Sequence, residues 1–310
     1  MLLWKTRFNF GDESPEAPGS SDRKSEPVEL KKLALKISRS ENLPVLPVAV
    51  THVLKLADDP KTSPRQIEQV VAKDAGLMAK MLRVANSPVF GGNNITTISR
   101  AVAVLGMNNV RSLAISAAFQ SVSNSRSLAQ RFDRTAFWRH SLATATAARI
   151  LGKMRMPECA DELYTAGMIH NVGILALDRF LADEYDQVLE IAFDADTPLH
   201  EVEQSRLGYD HCEVGTVLCE TWGLTGLIKA AVTYHHNPMM DAEHYETTCV
   251  IAAAETLAHQ CGLRNQSPHH TAELDITLLD ALELPEEQLE AIRNVVSNEL
   301  ARTEQTLKAA

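Results

Sequence analysis

The sequence predicts an all-α protein, and three observations carry that expectation. Apolar residues recur at helical spacing through most of the chain, as at Val50, Val53, Leu54 and Ala57. Residues that start helices stand before these stretches, including Ser63, Asp74, Thr97 and Asp210, and glycines that stop them stand after, at Gly106, Gly208 and Gly223. No stretch of the first half alternates apolar and polar residues in the manner of a strand.

Residues 1–27 are expected to form a flexible tail. Met1 to Phe10 is too short and too mixed for a secretory signal, and Gly11 to Pro27 is mostly Gly, Asp, Glu, Ser and Pro. Pro44 and Pro47 frame an extended entry to the first clear helix, with Pro47 near its first turn. The Asp58-Asp59-Pro60 turn follows, and then Ser63-Pro64-Arg65-Gln66, a capping box with proline at the first helical position. Ile67, Val70 and Val71 mark the inner side of that helix. Asp74 caps the next one, which carries Leu77, Met78, Met81, Leu82 and Val84. Thr97 opens a helix from Ile98 to Leu105, Gly106 closes it, and another runs over roughly 108–122.

In the second half, Phe137-Trp138-Arg139-His140 heads a long helix closing near Gly152. The run from Leu163 to Asp178 reads as a helix apolar nearly all round, which belongs in the middle of a protein, and it contains His170 and Asn171. Buried polar side chains cost a few kcal/mol each when unpaired, so this pair must meet a metal, another polar side chain or trapped water. The partners available are His140, His211, His235, His236 and Glu255, with Glu213 a second source of negative charge. Asp210 caps a helix that starts at His211 and ends at Trp222-Gly223; a further helix ends at His235-His236, before Asn237-Pro238. A helix over about 247–259 carries Glu255, and Pro285-Glu286-Glu287 begins a last one with Leu289, Ile292, Val295, Val296 and Leu300 on one side. That stripe is expected to dock on the body of its own chain. His52, His200, His244, His259, His269 and His270 read as surface residues, and Cys212 with Cys219 as the inner face of a helix.

The formal net charge of -10, with Lys80, Arg83, Arg100 and Arg111 scattered, argues against a nucleic-acid partner. No run approaches the roughly 18 apolar residues of a membrane span. The five cysteines are odd in number and form no C-x-x-C pair, consistent with free thiols in a reducing cytoplasm.

Leu43-Pro-x-Leu-Pro47, the Asp58-Asp59-Pro60 turn, Lys73-Asp74-x-Gly-Leu77, Leu82-Arg-Val-Ala-Asn-Ser87 with Phe90-Gly91, and Ile98-Ser-Arg-Ala-Val-x-Val-Leu-Gly106 resemble the HDOD domain, the HD-related output domain of bacterial signalling proteins. The resemblance spans about residues 38–240. It implies a helical HDOD platform over 28–130, an HD-like helical bundle over 131–265 and a C-terminal helical extension over 266–310. The order His140, His170-Asn171, His211, His235-His236 is similar to the metal-ligand order of the HD phosphohydrolase superfamily, in which the second element is His-Asp. The resemblance therefore implies a degenerate site of His140, His170, Asn171, His211, His235 and His236 with no catalytic residue. A residual divalent Fe, Mn or Mg ion would fall to the same histidines and Glu255. It further implies a non-catalytic regulatory protein in signal transduction, requiring no cofactor and acting by contact with other signalling proteins. The alternative is a metal-dependent phosphohydrolase acting on a nucleotide or cyclic dinucleotide. Cys212 is a further candidate ligand.

Overall fold

The computed structural model describes residues 29–39, 48–57, 59, 61–86, 94–123, 128–264 and 276–308, and every regular element among them is helical. The N-terminal tail, Pro44, Pro47, the Ser87–Gly92 loop, His269 and His270 lie outside the described residues.

The first helices are α1 (Leu30–Arg39), α2 (Val48–Ala57), α3 (Pro64–Val71), α4 (Ala75–Ala85) and α5 (Ile98–Ser123). Their local chemistry follows the sequence. The Ser63 N–H donates to the Gln66 side chain at 2.8 Å, and the Leu77 N–H donates to Asp74 at 2.9 Å. Asn86 ties the end of α4 to the next segment, donating to the Ile95 carbonyl and accepting from its N–H. Within α5, Gly106 leaves helical geometry at φ 75° and ψ 160°, so the two helices expected there are present with a sharp kink between them. Helices α2, α3 and α4 lie against α5, which in turn meets α6 (Arg134–Arg155) and α7 (Ala160–Ile169).

The second half continues with α8 (Val172–Phe180), α9 (Ala182–Ala195), α10 (Leu199–Leu207), α11 (His211–Trp222), α12 (Gly226–Tyr234) and α13 (Tyr245–Gln260), followed by α14 (Ile276–Ala281) and α15 (Glu286–Lys308). One apolar cluster runs from Leu33 and Ile37 on α1 through Met81, Phe137 and Ile174 to Val232 and Ala258, joining the two halves. A second joins Leu151, Leu163, Ala231, Leu257, Ile292 and Val296, so α15 docks on α6 and α13 of its own chain. Burying Ile292 and Val296 contributes on the order of 1.5–3 kcal/mol each relative to exposure.

Two expectations need correction here. The run from Leu163 to Asp178 is not one helix: α7 stops at Ile169 and α8 starts at Val172, with His170 and Asn171 at the corner. The His170 ring turns back onto the Gly167 carbonyl at 2.8 Å, while Asn171, at ψ 20°, swings the chain away from the α7 axis. Gly173 makes the corner fit, because a Cβ there would lie 1.9 Å from the His211 carbonyl oxygen. The helix of His140 also runs past Gly152 to Arg155; Gly152 instead lets α6 meet the backbone of Ala160, 3.0 Å from where its Cβ would be.

Candidate functional site

Helices α6, α7, α11, α12 and α13 converge on the α7–α8 corner and bring seven sequence-selected side chains together. His140, His170, Asn171, His211 and His235 are at most 2% exposed, Glu255 is 8% exposed, and His236 is partly buried. His140 lies two turns into α6, which Asp133 caps by accepting from the Thr135 and Ala136 N–H groups. His211 opens α11 because Asp210 caps it, and His235 and His236 leave the end of α12. Glu255 faces inward from α13, with Oε1 3.6 Å from His170 Nε2 and 3.7 Å from His140 Nε2, and Oε2 3.8 Å from His236 Nδ1.

The imidazoles share a pattern of anchoring. His140 Nδ1 donates to the Leu263 carbonyl at 2.9 Å, His170 Nδ1 to Gly167 at 2.8 Å, and His235 Nδ1 to Ala231 at 2.9 Å. His211 Nδ1 donates to Glu203 at 2.6 Å. A neutral ring whose Nδ1 carries the proton keeps a lone pair on Nε2. With Nδ1 anchored outward, the four Nε2 atoms belong to the inside of the cluster, and on His140 and His235, which burial keeps neutral, Nε2 carries that lone pair, as in sites where an outer hydrogen bond fixes a metal-binding histidine. His140 Nε2 and His170 Nε2 stand 3.4 Å apart, and His236 Nε2 stands 3.1 Å from His211 Nε2. The Asn171 amide nitrogen is 3.4 Å from His140 Nε2, while its buried Oδ1 has no hydrogen-bond partner among the described residues.

Burial dominates the electrostatics. It pushes His140 down to about 3 and holds His235 and His236 well below the ordinary histidine value, so these rings are neutral donors. Burial also opposes the charge on His211, but Glu203 outweighs it and lifts that pKa well above the ordinary value. For Glu255 burial favours the acid, but interaction with the imidazoles around it, His236 first, outweighs burial and holds its pKa well below the ordinary carboxylate value. An anion ringed by nitrogen lone pairs is stable only around a shared proton or cation, and the donor set fits a divalent metal ion in that respect. Three groups have donor atoms within 4.8 Å of one another: His211, Cys212, His235 and His236; His140, Glu255 and His259; and His170, His235 and Glu255. Above the cluster opens a cavity of about 360 Å³, with His200, His236 and Glu255 facing Pro198, Met239 and Leu278.

Several assignments change. Glu213 is exposed and gives no charge to the site; its side chain completes the cap by accepting from the Asp210 N–H at 3.2 Å. His200 and His259 are not surface residues. The His200 ring stacks on His236 with centroids 4.0 Å apart, and the His259 ring lies 5.0 Å from that of His140. Glu203 was not among the candidates, although it is fully buried, accepts from the His211 N–H at 2.8 Å, and receives the Tyr185 hydroxyl at 2.9 Å. Asp178 was also missed: it is fully buried, pairs with Arg134 and accepts from the Leu128 and Ala129 N–H groups.

Comparison with known proteins agrees with this architecture. A solved HDOD domain protein of unknown function from Geobacter sulfurreducens superposes with a TM-score of 0.67 at 23% identity, over 90% of this chain and 95% of that one. A protein from Shewanella amazonensis described as "Putative phosphohydrolase" superposes with a TM-score of 0.61 at 23% identity, over 85% and 97%. An uncharacterized protein of Treponema pallidum (strain Nichols) is 24% identical over 219 residues, which cover 69% of this chain and 42% of that relative. The chain thus spans less than half the length of that curated relative. The HDOD domain profile matches residues 43–238, which include His140, His170, Asn171, His211, His235 and His236, and on that match this chain belongs to the HDOD domain family.

Proposed function

We propose that this chain is a signalling output module that works by contact with other proteins, and that its histidine pocket binds without hydrolysing phosphate esters. The observation that supports this most directly is Asn171. An amide occupies the buried corner beside His170, where a hydrolytic relative would carry an acid, and its Oδ1 has no hydrogen-bond partner among the described residues. A phosphoryl transition state draws most of its stabilisation from positive charge held firmly by anionic ligands, so one missing carboxylate removes a large share. The fold relatives include both an HDOD protein of unknown function and one described as a phosphohydrolase, so the fold does not choose between the readings.

The second reading, a metal-dependent phosphohydrolase acting on a nucleotide or cyclic dinucleotide, is favoured by Glu255. Its carboxylate restores one negative charge among His140, His170 and His236, and these residues would hold a divalent Fe, Mn or Mg ion. Such an ion would supply Lewis acidity and lower the pKa of a bound water. The chain's own contribution is to keep His140 and His236 neutral by burial and to orient His140 and His170 through their carbonyl anchors. Chelator-free protein loaded with Mn or Fe and assayed with a chromogenic phosphodiester separates the two readings. The output reading expects no turnover above buffer; turnover that vanishes in His170→Ala would establish the second.

A further inference from the structure

We infer that His211, Cys212, His235 and His236 form a closed, zinc-type site that pins the start of α11 to the end of α12. This deepens the reading above and rests on it for a pocket that binds without turnover, because four protein donors leave no open position for a reacting water.

The geometry carries the inference. A tetrahedral zinc with nitrogen ligands at about 2.0–2.1 Å and sulfur at about 2.3 Å has N···N edges of about 3.3 Å and N···S edges of about 3.6 Å. His211 Nε2 and His236 Nε2 are 3.1 Å apart, and Cys212 Sγ is 3.8 Å from both ring nitrogens of His235. All four donors lie within 4.8 Å of one another before any ion draws them in. The outer partners are in place as well. Glu203, fully buried and braced by the Tyr185 hydroxyl, holds His211 Nδ1, and the Ala231 carbonyl holds His235 Nδ1, the arrangement that orients zinc-bound histidines. His236 turns Nδ1 toward Glu255, and the cavity over His211, His235 and His236 gives an ion a way in.

A thiol among imidazoles selects a softer, tetrahedral ion than the Mg or Mn that oxygen donors prefer. On binding, the Cys212 S–H bond breaks, its proton leaves to solvent, and a sulfur–metal bond forms. Because His235 offers a single Nε2, its use here withdraws it from the group with His170 and Glu255.

Cobalt substitution tests the site. The full chain, stripped by chelator and titrated with Co(II), should take up one ion per chain with tetrahedral d–d bands and a thiolate-to-cobalt charge-transfer band. Cys212→Ser should abolish that band and weaken zinc binding at least tenfold, while Cys249→Ser, removing a nearby thiol, leaves both unchanged. Glu203→Gln should weaken zinc binding by about 10- to 100-fold while keeping the band. Circular dichroism of each variant checks that it is folded. No bound cobalt, or a spectrum that Cys212→Ser does not alter, overturns the inference and leaves the non-hydrolytic reading standing. Phosphodiester turnover would instead sink that reading, whatever the cobalt spectrum shows.

Discussion

The two sides of the histidine cluster are built differently. On the α10–α12 side, His211 is held by a fully buried carboxylate, Glu203, which also takes the His211 backbone N–H and the Tyr185 hydroxyl. On the α6–α8 side, the Nδ1 atoms of His140 and His170 are anchored by backbone carbonyls, and the side chain beside them is an amide whose oxygen has no hydrogen-bond partner among the described residues. One side has a built-in anion at its base; the other relies on Glu255, whose closest approaches to the imidazoles are 3.6–3.8 Å. The difference teaches that similar histidines are not equivalent donors: the charge behind each ring decides how tightly it can grip a cation.

The largest expected effect comes from breaking the anionic side. Glu203→Ala strands the His211 N–H, the His211 ring and the Tyr185 hydroxyl, and should cost about 3–5 kcal/mol in urea unfolding. A loss under about 1 kcal/mol would show that the two sides are equally supported.

Acid probes the neutral rings in metal-free protein. The folded pKa of His140, about 3, lies below the unfolded value near 6.5, so the unfolded chain binds the extra proton between them. Stability should therefore fall as pH drops from about 6.5 toward 3, by about 1.4 kcal/mol per pH unit for that ring alone, and His235 and His236 add to the slope. His211 behaves oppositely. Its raised pKa gives a contribution complete below about pH 6.5 and lost as pH rises through the folded value. Unfolding curves collected across this range would show a maximum between the two flanks, and a flat profile would contradict the assignment of charges.

Gly173→Ala attacks the joint between the sides. Its new Cβ meets the His211 carbonyl at 1.9 Å, so α8 and α11 must separate, at about 1–3 kcal/mol or more by thermal melting. Asn171→Ala, in contrast, removes an amide with one long contact, and a change of about 1 kcal/mol is expected by the same measurement.

The sequence made much of this legible, and its misses have physical reasons. Caps at Asp74 and Asp210 and stops at Gly208 and Gly223 act locally, so a short window suffices to read them. His140, His170, His211, His235, His236 and Glu255 stand out because polar residues amid apolar runs must meet something. Glu203 hid in a helix rich in charge, yet Leu199, Val202 and Leu207 share its inward face, and that spacing was a usable signal. His259 follows Glu255 by one helical turn on a helix buried nearly throughout, which placed it on the same side. His200 offered no such sign, since it reaches the cluster by stacking on His236 across tertiary structure. The corner at His170 was obscured because an apolar run looks alike whether or not its axis turns.

Restoring the acid is the most direct test of the central claim that an amide at the corner keeps this pocket from hydrolysis. Metal content and phosphodiester turnover would be measured side by side for the parent chain and Asn171→Asp after loading with Mn or Fe. The account predicts no turnover by the parent, and a gain in both metal retained and turnover in the variant. Turnover by the parent chain, unchanged by Asn171→Asp, would contradict it.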